Sequence, residues 1–300
     1  MIKALGIGDN VCDVYLDTNI MYPGGQALNF SVYAKQLGAD SEYLGVFGQD
    51  AIAEYIQKIL DEKVIGRSRC RSYEGENGFA RVKIIDGDRV FKGSNKGGVL
   101  QDHFLELDED DIEYIKKFNV VHTTNNAFFD SQLKKISGLG PFISYDFSVR
   151  WNEEDRIKRV CPYIDFAFLS CSDMSDEEAE VICRNLYNEG CKVITATRGS
   201  SEAIIYDGKK FYRQKPDYVE PVDTMGAGDS FATCMLVKIV EKIDENGMDK
   251  WNDSDEYRED VISSALQEAA SFASKTCMVN GAFGCGIEVP ESVQERVLEE

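Results

Sequence analysis

The sequence predicts an α/β fold in which a parallel sheet is covered by helices on both faces. Apolar segments of strand length alternate with segments of helical periodicity along almost the whole chain, which is the pattern of repeated strand–helix units. The apolar segments are continuous, as is typical of strands that are buried on both faces. With 300 residues, of which 43% are hydrophobic, the chain is long enough to form a large core. We therefore expect one domain over residues 1–300.

The predicted elements follow in order along the chain. Six segments have the length and apolar character of buried strands: 4–8, 43–47, 120–123, 142–146, 166–169 and 193–197. Seven segments have the spacing of apolar residues that a helix requires: 27–37, 51–63, 110–117, 130–137, 176–189, 229–243 and 260–277. The acidic segment 244–257 shows no periodicity, so we expect a solvated loop there.

The region 67–99 departs from this alternation, because it contains several short β segments at 67–73, 78–85 and 89–91. The last two are separated by Asp86-Gly87-Asp88, a turn sequence that is typical of a β-hairpin. Polar and apolar residues alternate there, which favours a small exposed sheet at the rim of the main domain, and residues 15–22 are expected to add a strand to it.

Charge and cysteine content exclude several classes of function. The chain carries 33 Lys and Arg against 53 Asp and Glu, a net charge of −20, so binding to nucleic acid or to an anionic membrane surface is not expected. The nine cysteines are odd in number, lie in apolar segments and form no C-x-x-C pair, as is typical of reduced cytoplasmic thiols. No apolar segment reaches the length of a membrane span and the N-terminus does not resemble a signal peptide. We therefore expect a cytoplasmic protein.

A glycine-rich segment at 223–231, Asp-Thr-Met-Gly-Ala-Gly-Asp-Ser-Phe, leads into the helix predicted at 229–243. Its glycines permit a tight turn that presents backbone N–H groups at a helix N-terminus, where the helix dipole also favours an anion. The expected anion site consists of three small residues, Gly226, Ala227 and Gly228. Asp229 beside it fits a general base that takes the proton from a hydroxyl group attacking a nucleotide phosphate. The alternative is an acidic residue that only caps the helix.

A second polar cluster lies near the N-terminus. Gly24 and Gly25 permit close approach of the backbone to a ligand, and Asn29 follows one helical turn later. Asp9 and Asp13 come directly after the first predicted strand. Carboxylate and amide groups bind the adjacent hydroxyl groups of a sugar in defined directions, so the cluster predicts a sugar site. An ordinary strand-to-loop turn is the alternative.

Other catalytic and cofactor motifs are absent. Gly6-x-Gly8 suggests a dinucleotide site, but Val11 occupies the third glycine position. A phosphate-binding loop of the G-x-x-x-x-G-K-[ST] type does not occur. His103 and His122 are the only histidines, which makes a histidine-based triad or metal site improbable, and we expect both to be structural.

Together the two glycine clusters resemble the ribokinase-like carbohydrate kinase family. Gly24-Gly25-x-x-x-Asn29 is similar to its N-terminal signature, and Asp223-Thr224-x-Gly226-Ala227-Gly228-Asp229 is similar to its C-terminal signature. The resemblance implies a three-layer α/β/α fold with a doubly wound, mostly parallel sheet and a small projecting β lid, here residues 14–22 and 67–99. It also implies ATP-dependent phosphorylation of a sugar, with Asp229 as the base. Lids of this family often pair, so the resemblance implies a homodimer through the lid.

The resemblance also implies the nucleotide and cation sites. Thr197-Arg198-Gly199 resembles the family's nucleotide loop, with Glu202 where a second glycine is usual, and Ser170 begins the segment at the position of the family's Asn-x-x-Glu motif. The residues implied to bind ATP, with Mg²⁺, are Ser170, Thr197, Gly199 and Gly228. Asp223 matches a position that helps hold a monovalent cation such as K⁺.

Within the family, the segments 8–15, 87–91 and 223–226 look most like the subgroup that phosphorylates fructoselysine at the 6-position. This implies transfer to a primary hydroxyl group of a ketose derivative, fructoselysine or a related fructosamine, with Arg89 placed to reach the carboxylate of the amino-acid part. Three kinase alternatives remain: a fructokinase, a ribokinase, and a nucleoside kinase whose base stacks on Phe79. A catalytically silent sugar-binding or regulatory protein is the alternative from another class, favoured by the departures at Glu202 and Ser170.

Overall fold

The computed structural model describes residues 1–85 and 88–298, without the side chains of residues 85, 88 and 89. Its strands are β1 (Lys3–Gly8), β2 (Val11–Tyr15), β3 (Ile20–Gly24), β4 (Asp40–Phe47), β5 (Arg71–Ser72), β6 (Gly78–Ile85), β7 (Asp88–Ser94), β8 (Val120–Thr124), β9 (Phe142–Ser148), β10 (Phe166–Ser170), β11 (Val193–Thr197), β12 (Ala203–Tyr206), β13 (Phe211–Gln214) and β14 (Ile287–Glu288). Its α-helices are α1 (Gln26–Gln36), α2 (Ala51–Glu62), α3 (Glu109–Ile115), α4 (Leu133–Ile136), α5 (Glu154–Val160), α6 (Asp176–Asn188), α7 (Ala227–Asn246), α8 (Met248–Asp253), α9 (Asp255–Thr276) and α10 (Glu291–Leu298).

Nine strands form a large sheet in the order β13-β12-β11-β10-β9-β8-β1-β4-β5. All neighbouring strands from β11 to β5 are parallel to each other. At the other edge, β12 is antiparallel to both of its neighbours, β11 and β13. Because neighbouring parallel strands must be joined by a crossover, each connection carries a helix to one face or the other. The predicted mostly parallel sheet is therefore confirmed.

Helices cover both faces of the large sheet, which gives the three-layer arrangement. In β1, Ala4 packs with α1, α7 and α9 on one face, while its neighbour Leu5 packs with α3, α4 and α6 on the other. Successive residues of a strand point to opposite faces, so each strand supplies apolar side chains to both cores. This is why the predicted strands are continuously apolar.

The small sheet, β14-β3-β2-β6-β7, stands at the end of the large sheet where β1 and β4 finish. Its inner side chains, with those of α1, α2 and α10, form a third apolar cluster that includes Cys12, Val14 and Val82. The small sheet contains most of the predicted lid. Residues 71–72 differ, because they pair with β4 at the edge of the large sheet. The turn at Asp86-Gly87 lies outside the described residues.

The segment 244–257 is helical rather than a loop, so that prediction is wrong. Gly247, with a φ of 90°, ends α7 and begins α8, and the hydroxyl group of Ser254 accepts a hydrogen bond from the backbone of Tyr257 at the start of α9. Trp251 from α8 is buried in the core between α7 and α9. Polar contacts add to this packing, because Arg258 donates to the carbonyl oxygens of Trp251 and Asn252, and Lys209 forms an ion pair with Asp255.

Two further observations concern the cysteines and the possibility of a membrane-spanning helix. The nine cysteines all lie in the described residues, none of them forms a disulfide bond, and most are buried. None of the helices within residues 1–85 and 88–298 is long and apolar enough to span a membrane.

Candidate active site

The two glycine clusters meet at the carboxyl edge of the large sheet, below the small sheet. The N-terminus of α1 and the N-terminus of α7 approach each other there, although they are far apart in sequence. Crevices at the carboxyl ends of parallel strands are where open α/β sheets bind ligands. The fold therefore brings the predicted sugar cluster and the predicted anion site together.

Asn29 and Asp229 form the contact between these helix N-termini. The Asn29 amide nitrogen Nδ2 donates to Oδ2 of Asp229 over 2.6 Å, and both residues lie in the first turn of their helices. Asn29 Oδ1 is buried and has no hydrogen-bond partner among the described residues. A buried acceptor without a donor is costly, so this oxygen points to a ligand that donates a hydrogen bond.

Asp13 lies beside this pair, on β2. The Asp13 carboxylate is almost fully buried, and a Cβ atom on Gly24 would come within 2.7 Å of its Oδ2 and 4.0 Å of Asn29 Oδ1. Gly24 is therefore required for the close approach of these two polar groups. Gly25, with a φ of 105°, lets the chain pass over the backbone of residues 9 and 10 before α1 begins.

Asp9 makes contacts within the protein. Its carboxylate accepts hydrogen bonds from the backbone N–H groups of Gln26 and Ala27 and from the Thr124 hydroxyl group at 2.8 Å. Gly25 at the N-cap has no side chain, so Asp9 caps α1 from another part of the chain. Burial raises the pKa of Asp9, while these hydrogen bonds lower it. The structure thus gives Asp9 a structural role; whether it also contacts a sugar stays a prediction.

The loop before α7 has the geometry that its glycines predict. Gly226 adopts a left-handed conformation with a φ of 74°, and a Cβ atom there would meet the Tyr33 hydroxyl oxygen at 2.3 Å. A Cβ atom on Gly228 would meet nothing within 4 Å, so the space at the helix N-terminus is open. The N-cap residue of α7 is Gly226 itself, which has no side chain to cap the helix. The Ala227 N–H group differs from expectation, because it donates to the carbonyl oxygen of Thr224 at 3.2 Å.

Asp223 anchors the base of this loop. Its Oδ1 accepts from the Met225 N–H group at 2.9 Å, and its Oδ2 accepts from the Gly281 N–H group at 2.8 Å and from the hydroxyl group of Tyr15 at 2.5 Å. The carboxylate is buried and engaged by these three donors. Because the Asp223 carboxylate already accepts these hydrogen bonds, a cation at the predicted site would be bound mainly by backbone carbonyl groups of the loop.

The residues implied to bind nucleotide lie further along the same edge. Ser170 ends β10 and pairs in register with Thr197, which ends β11, and Gly199 follows with a φ of 60°. A cavity of about 440 Å³ adjoins them; its lining residues are Asp176, Arg198, Ser200, Ser201, Glu202, Lys215, Pro216 and Tyr218. Arg198 is buried in its wall and donates to Asp176.

Asp146 is a buried carboxyl group at this edge. The segment 145–150 already indicates it in the sequence, because it resembles the Asp-x-Asn-x-Arg stretch of sugar-acid and fructose kinases, with Ser148 in place of Asn. It lies near the end of β9, where Oδ1 accepts from the backbone N–H of Ser148 at 2.6 Å and the Gln26 side chain forms a further hydrogen bond. Burial and the negative charges of Asp229 and Asp9 raise the pKa of Asp146 to about 7. Its position at the end of the predicted strand 142–146 is a second signal in the sequence. The Arg89 side chain lies outside the described residues.

Comparison with known proteins supports these observations. A family described as pfkB family carbohydrate kinase matches residues 5–280. The chain is 37% identical to the fructosamine kinase FrlD of Bacillus subtilis over 286 residues, 95% of this chain and 94% of that protein. It is 30% identical to the fructoselysine 6-kinase of Escherichia coli over 230 residues, 77% of this chain and 86% of that protein.

Solved structures confirm the predicted ribokinase-like fold. The ribokinase of Giardia lamblia superposes with a TM-score of 0.80 at 16% identity, and the fructokinase with bound ATP from Xylella fastidiosa with a TM-score of 0.75 at 18% identity. Each alignment covers 94% of this chain and 94% of the other. With the family match over most of its length, this chain belongs to the pfkB family of carbohydrate kinases.

Proposed function

We propose that this protein is an ATP-dependent fructosamine kinase that phosphorylates the 6-hydroxyl group of fructoselysine or a related fructosamine. Two relatives named for these substrates are 37% and 30% identical to it over most of their lengths. The supporting geometry is the pair formed by Asn29 and Asp229 beside the open N-terminus of α7.

Asp229 is the general base of this proposal. Its Oδ2 is held by Asn29, which fixes the carboxylate in one orientation, so that it can take the proton of a primary hydroxyl group as that oxygen attacks phosphorus. The charge that develops on the transferred phosphoryl group is met by the N-terminus of α7 and the backbone of Gly226, Ala227 and Gly228. Because the Ala227 N–H group already donates to the carbonyl oxygen of Thr224, the proposal assigns the larger part of this stabilisation to Gly226 and Gly228.

The sugar contacts come from Asp13, Gly24, Gly25 and Asn29. The unpaired Asn29 Oδ1 and the Asp13 carboxylate are both acceptors, so they suit a ligand with adjacent hydroxyl donors. Asp9 supports the same site by capping α1. We propose that the small sheet acts as the lid, which keeps water from the reacting phosphate.

ATP is placed along the edge formed by Ser170, Thr197, Gly199 and Gly228, next to the cavity of about 440 Å³. No group of three or more His, Cys, Asp and Glu side chains in the described part of the chain is arranged to hold a metal ion. We therefore expect Mg²⁺ to bind together with ATP, coordinated mainly by the nucleotide phosphates, as is common for this ion. K⁺ near Asp223 remains a further prediction.

Two finer points belong to the proposal. A homodimer through the lid would cover β7, which lies at an edge of the small sheet and exposes Phe91, and the neighbouring Ile84 on β6, which is also exposed. A cytoplasmic location agrees with nine cysteines that form no disulfide bond in the described residues. The contact of Arg89 with the amino-acid part of the substrate stays a prediction.

The test is an ATP-consumption screen over fructoselysine, other fructosamines, fructose, ribose and nucleosides, with kcat/KM measured for each substrate used. We expect the highest kcat/KM with fructoselysine or another fructosamine. A preference for free fructose, ribose or nucleosides would reject the fructosamine assignment. No turnover, with sugar binding retained in calorimetry, would favour the silent sugar-binding alternative.

A further inference from the structure

Tyr15 joins the strand that carries Asp13 to the loop at 223–228, which directly precedes Asp229. The side chains of Asp13 and Tyr15, both on β2, point to the same face of the small sheet, because alternate residues of a strand share a face. Asp13 approaches Gly24 and Asn29 on that face, while the Tyr15 hydroxyl group donates to Asp223 over 2.5 Å. One short strand thus contacts both halves of the site.

The contact with Asp223 bears directly on the shape of the loop. Asp223 Oδ1 holds the Met225 N–H group, immediately before Gly226, and Oδ2 holds the Gly281 N–H group as well as Tyr15. The hydrogen bond from Tyr15 is buried and has a charged acceptor, a combination that contributes more than an average hydrogen bond.

The loop is held on its other side by close packing. Tyr33 donates to the carbonyl oxygen of Ala282, and both lie so close to Gly226 that a Cβ atom there would clash with them. Tyr33 and Ala282 therefore restrain Gly226 by contact. Tyr15 differs from them because it belongs to the small sheet, on the same strand as Asp13. Of these three contacts, it is therefore the one that fixes the position of the loop relative to Asp13.

We propose that Tyr15 is a positioning residue for phosphoryl transfer: through Asp223, its hydroxyl group fixes the loop at 223–228 relative to the strand that binds the sugar. The inference rests on the proposed function. An anion site stabilises a transition state only where its donors are held in place beforehand. Loss of the hydroxyl group therefore lowers kcat, while the binding of ATP and sugar changes little.

Tyr22 provides a matched control. It lies opposite Asp13 on β3, its ring packs edge-to-face on that of Tyr15 at 5.0 Å, and no hydrogen bond of its hydroxyl group is found among the described residues. Tyr15→Phe and Tyr22→Phe each remove one hydroxyl group from the same aromatic pair. The Tyr22 hydroxyl group also lies near Asp223, and burial together with the charge of that carboxylate raises the pKa of Tyr22. Only Tyr15→Phe, however, removes a hydrogen bond to the loop.

The first test is kinetic. Tyr15→Phe is expected to lower kcat about tenfold to a hundredfold, the factor that corresponds to a lost hydrogen bond to a charged group, with the KM for ATP within about threefold of wild type. Tyr22→Phe is expected to keep kcat. In a double-mutant cycle with Asp223→Asn, Tyr15→Phe should lower kcat no more than about twofold further. If Tyr15→Phe lowered kcat by the same factor in the wild type and in Asp223→Asn, Tyr15 would not act through Asp223.

The second test needs no substrate, so it separates failure of this inference from failure of the proposed function. Amide hydrogen exchange of the segment 223–228 is compared in wild type, Tyr15→Phe and Tyr22→Phe. We expect faster exchange, by about tenfold at Met225, in Tyr15→Phe alone. Unchanged exchange in that variant, or equal acceleration in both, would overturn the proposal.

Discussion

Replacement of Asp229 by Asn tests the proposed base with the smallest change in shape. Asp229 Oδ2 accepts a hydrogen bond from Asn29 Nδ2 over 2.6 Å, so the new amide group must turn its oxygen toward Asn29 to keep that bond. An NH₂ group then occupies the other position, where it cannot take a proton. The loss of a positioned base lowers kcat by about 10²–10⁴, which corresponds to about 2.7–5.4 kcal/mol of transition-state stabilisation.

The fold should survive this change. Asp229 is only half-buried, and removing its charge from the first turn of α7 costs about 0.3–1 kcal/mol of helix-dipole stabilisation. The assay is steady-state kinetics with saturating ATP and sugar, accompanied by calorimetric titration of ATP. Asp244→Asn makes the same chemical change near the other end of the same helix, at an exposed position, and should keep full activity. An Asp229→Asn enzyme with more than a tenth of the wild-type kcat would refute the base assignment.

Four further predictions test other parts of the structure. Gly24→Ala places a Cβ atom 2.7 Å from the Asp13 carboxylate, so the KM for the sugar should rise about tenfold to a hundredfold while the KM for ATP stays constant; a rise in both would contradict the assignment. The pKa of Asp146 is raised to about 7 in the fold, so the folded state binds an extra proton from about pH 4 to pH 7 and stability falls as pH rises through this range. Thermal unfolding at pH 5 and pH 8 should show a smaller loss of stability for Asp146→Asn than for wild type. Trp251→Ala should lower the unfolding free energy by about 3 kcal/mol in urea titration without changing the KM for either substrate. Light scattering at micromolar concentration should report a dimer, and Phe91→Lys should give a monomer; a monomeric wild type would remove the lid-dimer proposal.

The strands of the large sheet could be predicted because their apolar segments are continuous. Residues 193–197 match β11 to the residue, and the other predicted strands differ at their ends by a few residues. The helices at 244–257 could not be predicted, since they are stabilised by Trp251 in the core and by contacts with distant parts of the chain, such as the ion pair of Lys209 with Asp255. The short strands β12, β13 and β14 were missed because each has only two to four residues, too few for a periodic pattern, and β13 and β14 lie at sheet edges.

Residues of the candidate site could be predicted where they lie near glycine-rich segments of the sequence. Asp13, Asn29 and Asp229 all lie close to glycines in sequence, and the structure brings these three together. The contacts that hold them were not predictable. Nothing local to Tyr15 indicates a hydrogen bond to a residue 208 positions away, and Asp9 caps α1 only because β1 ends beside that helix.

The position of the transferred phosphate tests the central claim most directly. Purified product from fructoselysine and ATP is analysed by ³¹P–¹H correlation NMR, with the 6-deoxy analogue as a control substrate. We predict coupling of the phosphorus to the two protons on carbon 6, and no product from the analogue, because the Asn29–Asp229 pair receives a primary hydroxyl group beside the α7 N-terminus. Coupling to protons of another carbon, or turnover of the 6-deoxy analogue at a comparable rate, would contradict it.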